Sequence, residues 1–84
     1  MDKLTDLPNI GKDTEKLLNA IGIKTYDELA DLGSTECLLK IKAIDPSACL
    51  NRLMGLEGAI QNIRWHNLSD NDKKNLRDFY EKNK

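Results

Sequence analysis

Apolar residues recur at spacings of three and four along most of this chain, and that periodicity predicts helices with no strands. Leu17, Leu18 and Ile21 mark the buried side of a first helix over residues 12–21. Gly22 stands where a left-handed C-terminal cap belongs, and Ile23 follows as the apolar residue such caps pack. Thr25 and Glu28 form a capping-box pattern that opens a second helix, with Tyr26, Leu29, Ala30 and Leu32 on its apolar side and Gly33 at its end. Ser34 is expected to cap a third helix through about residue 43, carrying Cys37, Leu38 and Ile41 inward, with Ile44 joining them at its end. Asp45-Pro46 stops it, because proline lacks a donor and disfavours helix at the preceding residue.

The longest regular stripe is Cys49, Leu53, Leu56, Ile60 and Ile63, widened by Leu50, Met54 and Ala59. It predicts a central fourth helix over residues 47–63 that touches neighbours on two sides. Gly58 inside that helix costs about 1 kcal/mol relative to Ala, so another backbone is expected to pack closely there. Ser69 is expected to cap a fifth helix through about residue 82 that docks with Leu76, Phe79 and Tyr80, its last residues frayed. Five helices in 84 residues make one all-α domain, a compact bundle with no linker, low-complexity tract or second domain.

Composition narrows the function. With 39% apolar residues a core is affordable, but a chain this short has little room for a substrate cavity beside it. The net charge is −1, whereas nucleic-acid proteins usually carry a basic excess, since phosphate neutralisation dominates their affinity. Residues 1–33 hold four Lys against seven Asp and Glu, and residues 34–84 hold nine basic against seven acidic residues, so the basic excess lies in the later part. The sequence offers neither a membrane span nor a signal peptide, and a cytoplasmic location is expected. Cys37 and Cys49 each have apolar neighbours and read as reduced, buried thiols. One His and no CxxC leave a metal site unsupported, and no cofactor is implied. No nucleophile–base pair or phosphate loop points to an enzyme.

The informative stretch is Leu7-Pro8-Asn9-Ile10-Gly11, a helix, Gly22-Ile23, and a second short helix. It resembles the helix-hairpin-helix motif, which requires a preceding helix within residues 2–7. That resemblance implies phosphate contact by the N–H groups of Gly11, Lys12 and Asp13, at a helix start where unbonded donors and the dipole favour an anion. Asn9, Ile10, Gly11, Lys12 and Lys16 are its candidate contact residues, for a phosphate or another partner. Asn9 replaces the motif's first glycine and is expected to bring a side chain to the phosphate's approach, while Asp13 and Glu15 repel it. Gly11 is expected to matter for the shape of the turn, and Lys12 for charge alone. The alternative is a turn that only joins two packed helices.

A wider resemblance covers residues 4 to about 76. The hairpin, Ala20-Ile21-Gly22-Ile23, the Leu29/Leu32-Gly33 helix end, Asn51-x-Leu53-x-x-Leu56-Glu57-Gly58-Ala59 and Arg64-Trp65-x-x-Leu68 together resemble the C-terminal domain of the TfoX (Sxy-like) family. The resemblance implies a five-helix, helix-hairpin-helix/SAM-like fold that, in full-length bacterial members, follows an N-terminal domain in a regulator of natural DNA competence. This chain, opening at Met1 without that domain, reads as a free-standing relative or an excised piece. Pro8, Gly22, Asn51, Leu56, Glu57, Gly58 and Trp65 are its family positions. Trp65 is expected to anchor the connection between helices 4 and 5, Glu57 to pair or cap, Asn51 to tie a loop backbone, and His66 to be an ordinary exposed residue. Two binding roles follow: a protein-interaction module, by self-association or by docking a partner in transcription or competence regulation, or weak, sequence-independent DNA binding through the hairpin. Neither calls for a small-molecule substrate.

Overall fold

The fold was derived from a computed structural model that describes residues 3–83. Five α-helices follow a single 3-10 turn at Leu4–Asp6: α1 (Lys12–Ala20), α2 (Tyr26–Leu32), α3 (Ser34–Ile44), α4 (Leu50–Gln61) and α5 (Asp70–Asn83). A second 3-10 turn, Trp65–Asn67, joins α4 to α5. No strand forms among the described residues, and the chain is an all-α bundle. The helix expected before the hairpin is the turn at Leu4–Asp6, with residue 2 outside the described residues.

Helix α4 is central. It packs on α2, α3, α5 and the second 3-10 turn, and it buries Leu53, Met54, Gly55, Leu56, Gly58 and Ala59. Around it Leu4, Leu7, Ile10, Leu18, Leu29, Cys37, Leu38, Ile41, Leu68 and Leu76 close one continuous core. The Tyr26 hydroxyl donates to the Ile60 carbonyl and pins α2 against the last turn of α4. That phenol therefore has a polar partner inside an otherwise apolar contact.

Local chemistry sets the boundaries. At the end of α1, Gly22 has φ 92°; its N–H donates to Asn19 O at 3.1 Å, and Ile23 N–H donates to Leu18 O at 2.8 Å. These two bonds are a Schellman closure, which satisfies carbonyls that the helix leaves free. The α4 end repeats it with Asn62 at φ 62°, bonding Asn62 N–H to Ala59 O and Ile63 N–H to Gly58 O. Asn62 thus stops α4 at Gln61, two residues short of the apolar pattern. Thr25 and Glu28 form the full reciprocal capping box at α2. The two backbone N–H groups donated to Glu28, from Lys24 first and also from Thr25, hold its carboxyl below the usual value.

Three further boundaries differ from the sequence expectation. Ser34 lies inside α3, with Gly33 as its N-cap, and its hydroxyl donates instead to Glu57 Oε1 at 2.7 Å. Helix α4 starts at Leu50 and not at Ser47, because Asp45 Oδ1 accepts from both the N–H and the hydroxyl of Ser47 and holds a local turn. Those two bonds, the hydroxyl's first, also keep the Asp45 carboxyl below its usual value. Cys49 consequently becomes the exposed N-cap of α4 and leaves the core stripe. Helix α5 runs to Asn83, where Asn83 Nδ2 donates to Phe79 O and Lys42 Nζ donates to Asn83 O; of the four residues expected to fray, residue 84 lies outside the described residues. Ser69 does cap α5, accepting the Asp72 N–H at 3.0 Å.

Candidate functional site

The hairpin at residues 7–11 is anchored from below. Leu4, Leu7 and Ile10 are buried, and the chain reverses through Asn9 at φ 68°. The Asn9 side chain turns inward. Its Nδ2 donates to Ile63 O at 3.0 Å and to Gly55 O at 3.4 Å, and its Oδ1 accepts the Trp65 N–H at 3.2 Å. One amide therefore joins the hairpin, the middle of α4 and the start of the α4–α5 connection. Gly58 makes room for it. A Cβ there would lie 2.6 Å from Asn9 Nδ2, 2.8 Å from Ile63 O and 3.2 Å from Trp65 Cα. Close packing was legible at Gly58, but its partner was not.

Three expectations about the hairpin change. Asn9 does not project toward an approaching anion, because its amide is spent on the protein's own backbone. Ile10 is a core anchor whose N–H donates to Leu7 O, so it offers no free donor. Gly11 is extended, at φ −97° and ψ −176°, and a Cβ there would meet nothing within 4 Å. Its backbone shape does not require glycine.

What the hairpin presents outward is an uncapped helix start. The first α1 bond runs from Glu15 N–H to Gly11 O, and no side chain caps Gly11. The N–H groups of Gly11, Lys12 and Asp13 meet no acceptor among the described residues. Lys12 and Lys16 are exposed beside them, as is Asp13, while Glu15 is half-buried. An open cleft of about 660 Å³ runs along this edge, lined by the hairpin backbone, Asp6, Asn62 and Arg64. Such a surface can hold an anion by N–H donation and charge, against the opposition of Asp6 and Asp13.

The remaining positions singled out from the sequence scatter. Glu57 accepts from Ser34 through Oε1 and from Gln61 through Oε2, both at 2.7 Å, and Gln61 also donates to Asp72. It is a tie between α3, α4 and α5. Asn51 is exposed, and its side chain makes no hydrogen bond among the described residues; the loop tie expected of it is made by Asn9. Trp65 is half-buried against the core and stacks on exposed His66, with centroids 3.9 Å apart. Leu56 is fully buried, and Pro8 is half-buried beside Asn9.

A second surface lies on α3, where Leu39 and Ile44 are the exposed large apolar side chains, Ile44 at 53%. Ile44 was expected to turn inward, but the helix ends there and points it to solvent. Cys37 beneath is fully buried; burial, with a smaller push from Glu36, raises its thiol to about 11. Among the described residues no group of three or more His, Cys, Asp or Glu is placed to hold a metal ion. No helix among them is long and apolar enough to cross a membrane.

Comparison with known proteins places these features. The family model for the TfoX C-terminal domain matches residues 1–80. Two crystal structures from Listeria monocytogenes are similar over nearly the whole chain. An uncharacterized protein in a triclinic form is 48% identical, with 95% of this chain and 91% of that one covered and a TM-score of 0.94. A protein of unknown function in a tetragonal form is 47% identical, with 96% and 99% covered and the same TM-score. No curated protein matches the chain.

Proposed function

The chain belongs to the TfoX C-terminal domain family, and from that premise we propose that it is a non-enzymatic protein-interaction module of transcription or competence regulation. The observation that carries this reading is the exposed pair Leu39 and Ile44 on α3, on a protein whose net charge is only −1. Large apolar side chains left in water, Leu39 in the middle of α3 and Ile44 at its end, suit contact with another protein surface, by self-association or by docking a partner. A near-neutral surface with its first third acidic suits such a contact better than it suits a polyanion.

A second reading has its own observation, the unbonded N–H groups at the start of α1. They support weak contact with duplex DNA, positioned by phosphates and blind to sequence. With about two or three phosphates neutralised, log K should fall against log salt with a slope of about −2 to −3. One pair of measurements separates the readings. Sedimentation of the purified chain across a wide concentration range should show association that Ile44→Lys removes. A strictly monomeric chain that instead binds a labelled duplex with this salt slope would transfer the function to the hairpin.

A further inference from the structure

A second cleft, of about 390 Å³, opens beside the hairpin between the start of α4 and the Asn62–Trp65 connection. Its wall includes Thr14, Cys49, Asn51, Arg52, Arg64 and Trp65. The chain has three arginines, and two of them line this one cleft, with no Asp or Glu in the wall. Arg64 is exposed, and its side chain has neither a hydrogen bond nor an ion pair among the described residues. Arg52 is half-buried and already oriented: its Nη1 donates to Thr14 Oγ1 at 2.7 Å, which uses one of its five donors.

The electrostatics of α4 add to this. Helices α1, α2, α3 and α5 each carry Asp or Glu in the first turn, whereas α4 carries none and has Arg52 there instead. A cation at the positive end of a helix dipole is unfavourable unless an anion joins it. The Asp45 carboxyl does feel Arg52, but its Oδ1 is held by the N–H and hydroxyl of Ser47, and the residue does not line the cleft. Arg52, Arg64 and the start of α4 therefore border a space that the chain's own carboxylates do not line.

We propose that this cleft binds a phosphate dianion, free or as a monoester, held by Arg52 and Arg64. The planar guanidinium fork matches a phosphate oxygen pair, and two such groups balance a charge near −2. The volume lies at the lower end of the range for small-ligand clefts, enough for a mononucleotide-sized ester. The phosphate is a ligand here and not a substrate. The proposal does not depend on the hairpin N–H groups, although Arg64 borders both clefts.

Trp65 is the one tryptophan and lies in the wall, so its fluorescence reports the site directly. Inorganic phosphate, AMP and adenosine are titrated at constant ionic strength into the whole chain and into Arg52→Gln, Arg64→Gln and Arg77→Gln, each checked for native helicity. Phosphate and AMP should saturate in the millimolar range or below, and adenosine should not. Arg52→Gln and Arg64→Gln should each weaken binding by about tenfold or more, and Arg77→Gln should leave it unchanged. Should Arg52→Gln loosen the fold through Thr14, the exposed Arg64 still decides the matter. AMP binding tighter than phosphate assigns the ester, and equal affinity assigns the free ion. No saturation, equal binding by adenosine, or unchanged binding in Arg64→Gln would overturn the proposal.

Discussion

The α1–α2 turn and the hairpin at residues 7–11 both reverse the chain through a left-handed residue, Gly22 at φ 92° and Asn9 at φ 68°, yet they are held by opposite means. The first is local. Its two closure bonds span three and five residues, and the Thr25–Glu28 capping box that follows spans three. The second is long-range, since the Asn9 amide reaches Gly55, Ile63 and Trp65, 46 to 56 residues away. A local turn can form before the rest of the domain. The hairpin takes its shape from α4 and the connection behind it, so a change in α4 is felt at the surface the hairpin presents.

The difference also explains what the sequence could reveal. Gly22-Ile23, Thr25-x-x-Glu28 and Ser69 were readable because each motif contains both partners within a few positions. The central role of α4 was readable from its apolar stripe, and Gly58 announced a close approach. Asn9 was not readable as a clamp, because nothing in residues 7–11 names Gly55 or Ile63. The remaining signal was the pair of small residues Gly55 and Gly58, three apart on the helix, whose common face meets Asn9. The late start of α4 was missed for the same kind of reason, since a side-chain bond from Asp45 outcompeted an apolar pattern that Cys49 extends. The two arginines of the smaller cleft lie on different elements and meet only in the fold.

The largest expected effect belongs to the helix behind the hairpin. Leu56→Ala should cost about 2–5 kcal/mol in denaturant unfolding, since Leu56 is fully buried. In a domain this small that is a large share of the total stability. The two glycines of α4 should then part company. Gly58→Ala must displace Ile63 O and the Asn9 amide and should lose about 1–3 kcal/mol, against the gain of about 1 that alanine normally brings to a helix. Gly55→Ala meets Asn9 Cβ at 3.4 Å, an ordinary contact, and should be neutral or stabilising in the same assay.

On the local side the effects should be smaller. Thr25→Ala should cost about 1 kcal/mol, the usual worth of an N-cap, and leave the hairpin amide shifts unchanged. The thiols should divide at neutral pH with no cost to stability: Cys49 should react at once with a thiol reagent, and Cys37 only on unfolding. Because folding raises the Cys37 thiol from 9.0 to about 11, the folded state holds that proton more tightly. Its contribution is therefore complete below about pH 9 and is lost as the pH rises toward 11. Prompt modification of both thiols in the folded protein would break this assignment.

The most direct test of the long-range clamp is Asn9→Gly, measured by chemical unfolding alongside the parent chain. Glycine accepts the left-handed backbone without strain, so the substitution removes the side-chain bonds and little else. If the amide holds the hairpin to α4, stability should fall by about 2–4 kcal/mol, from roughly 1 kcal/mol per lost bond and the exposure of Ile63 O and Trp65 N–H to an unfilled site. A variant as stable as the parent chain, or more stable, would show that the hairpin stands on its own turn chemistry, as the α1–α2 turn does, and would contradict this account.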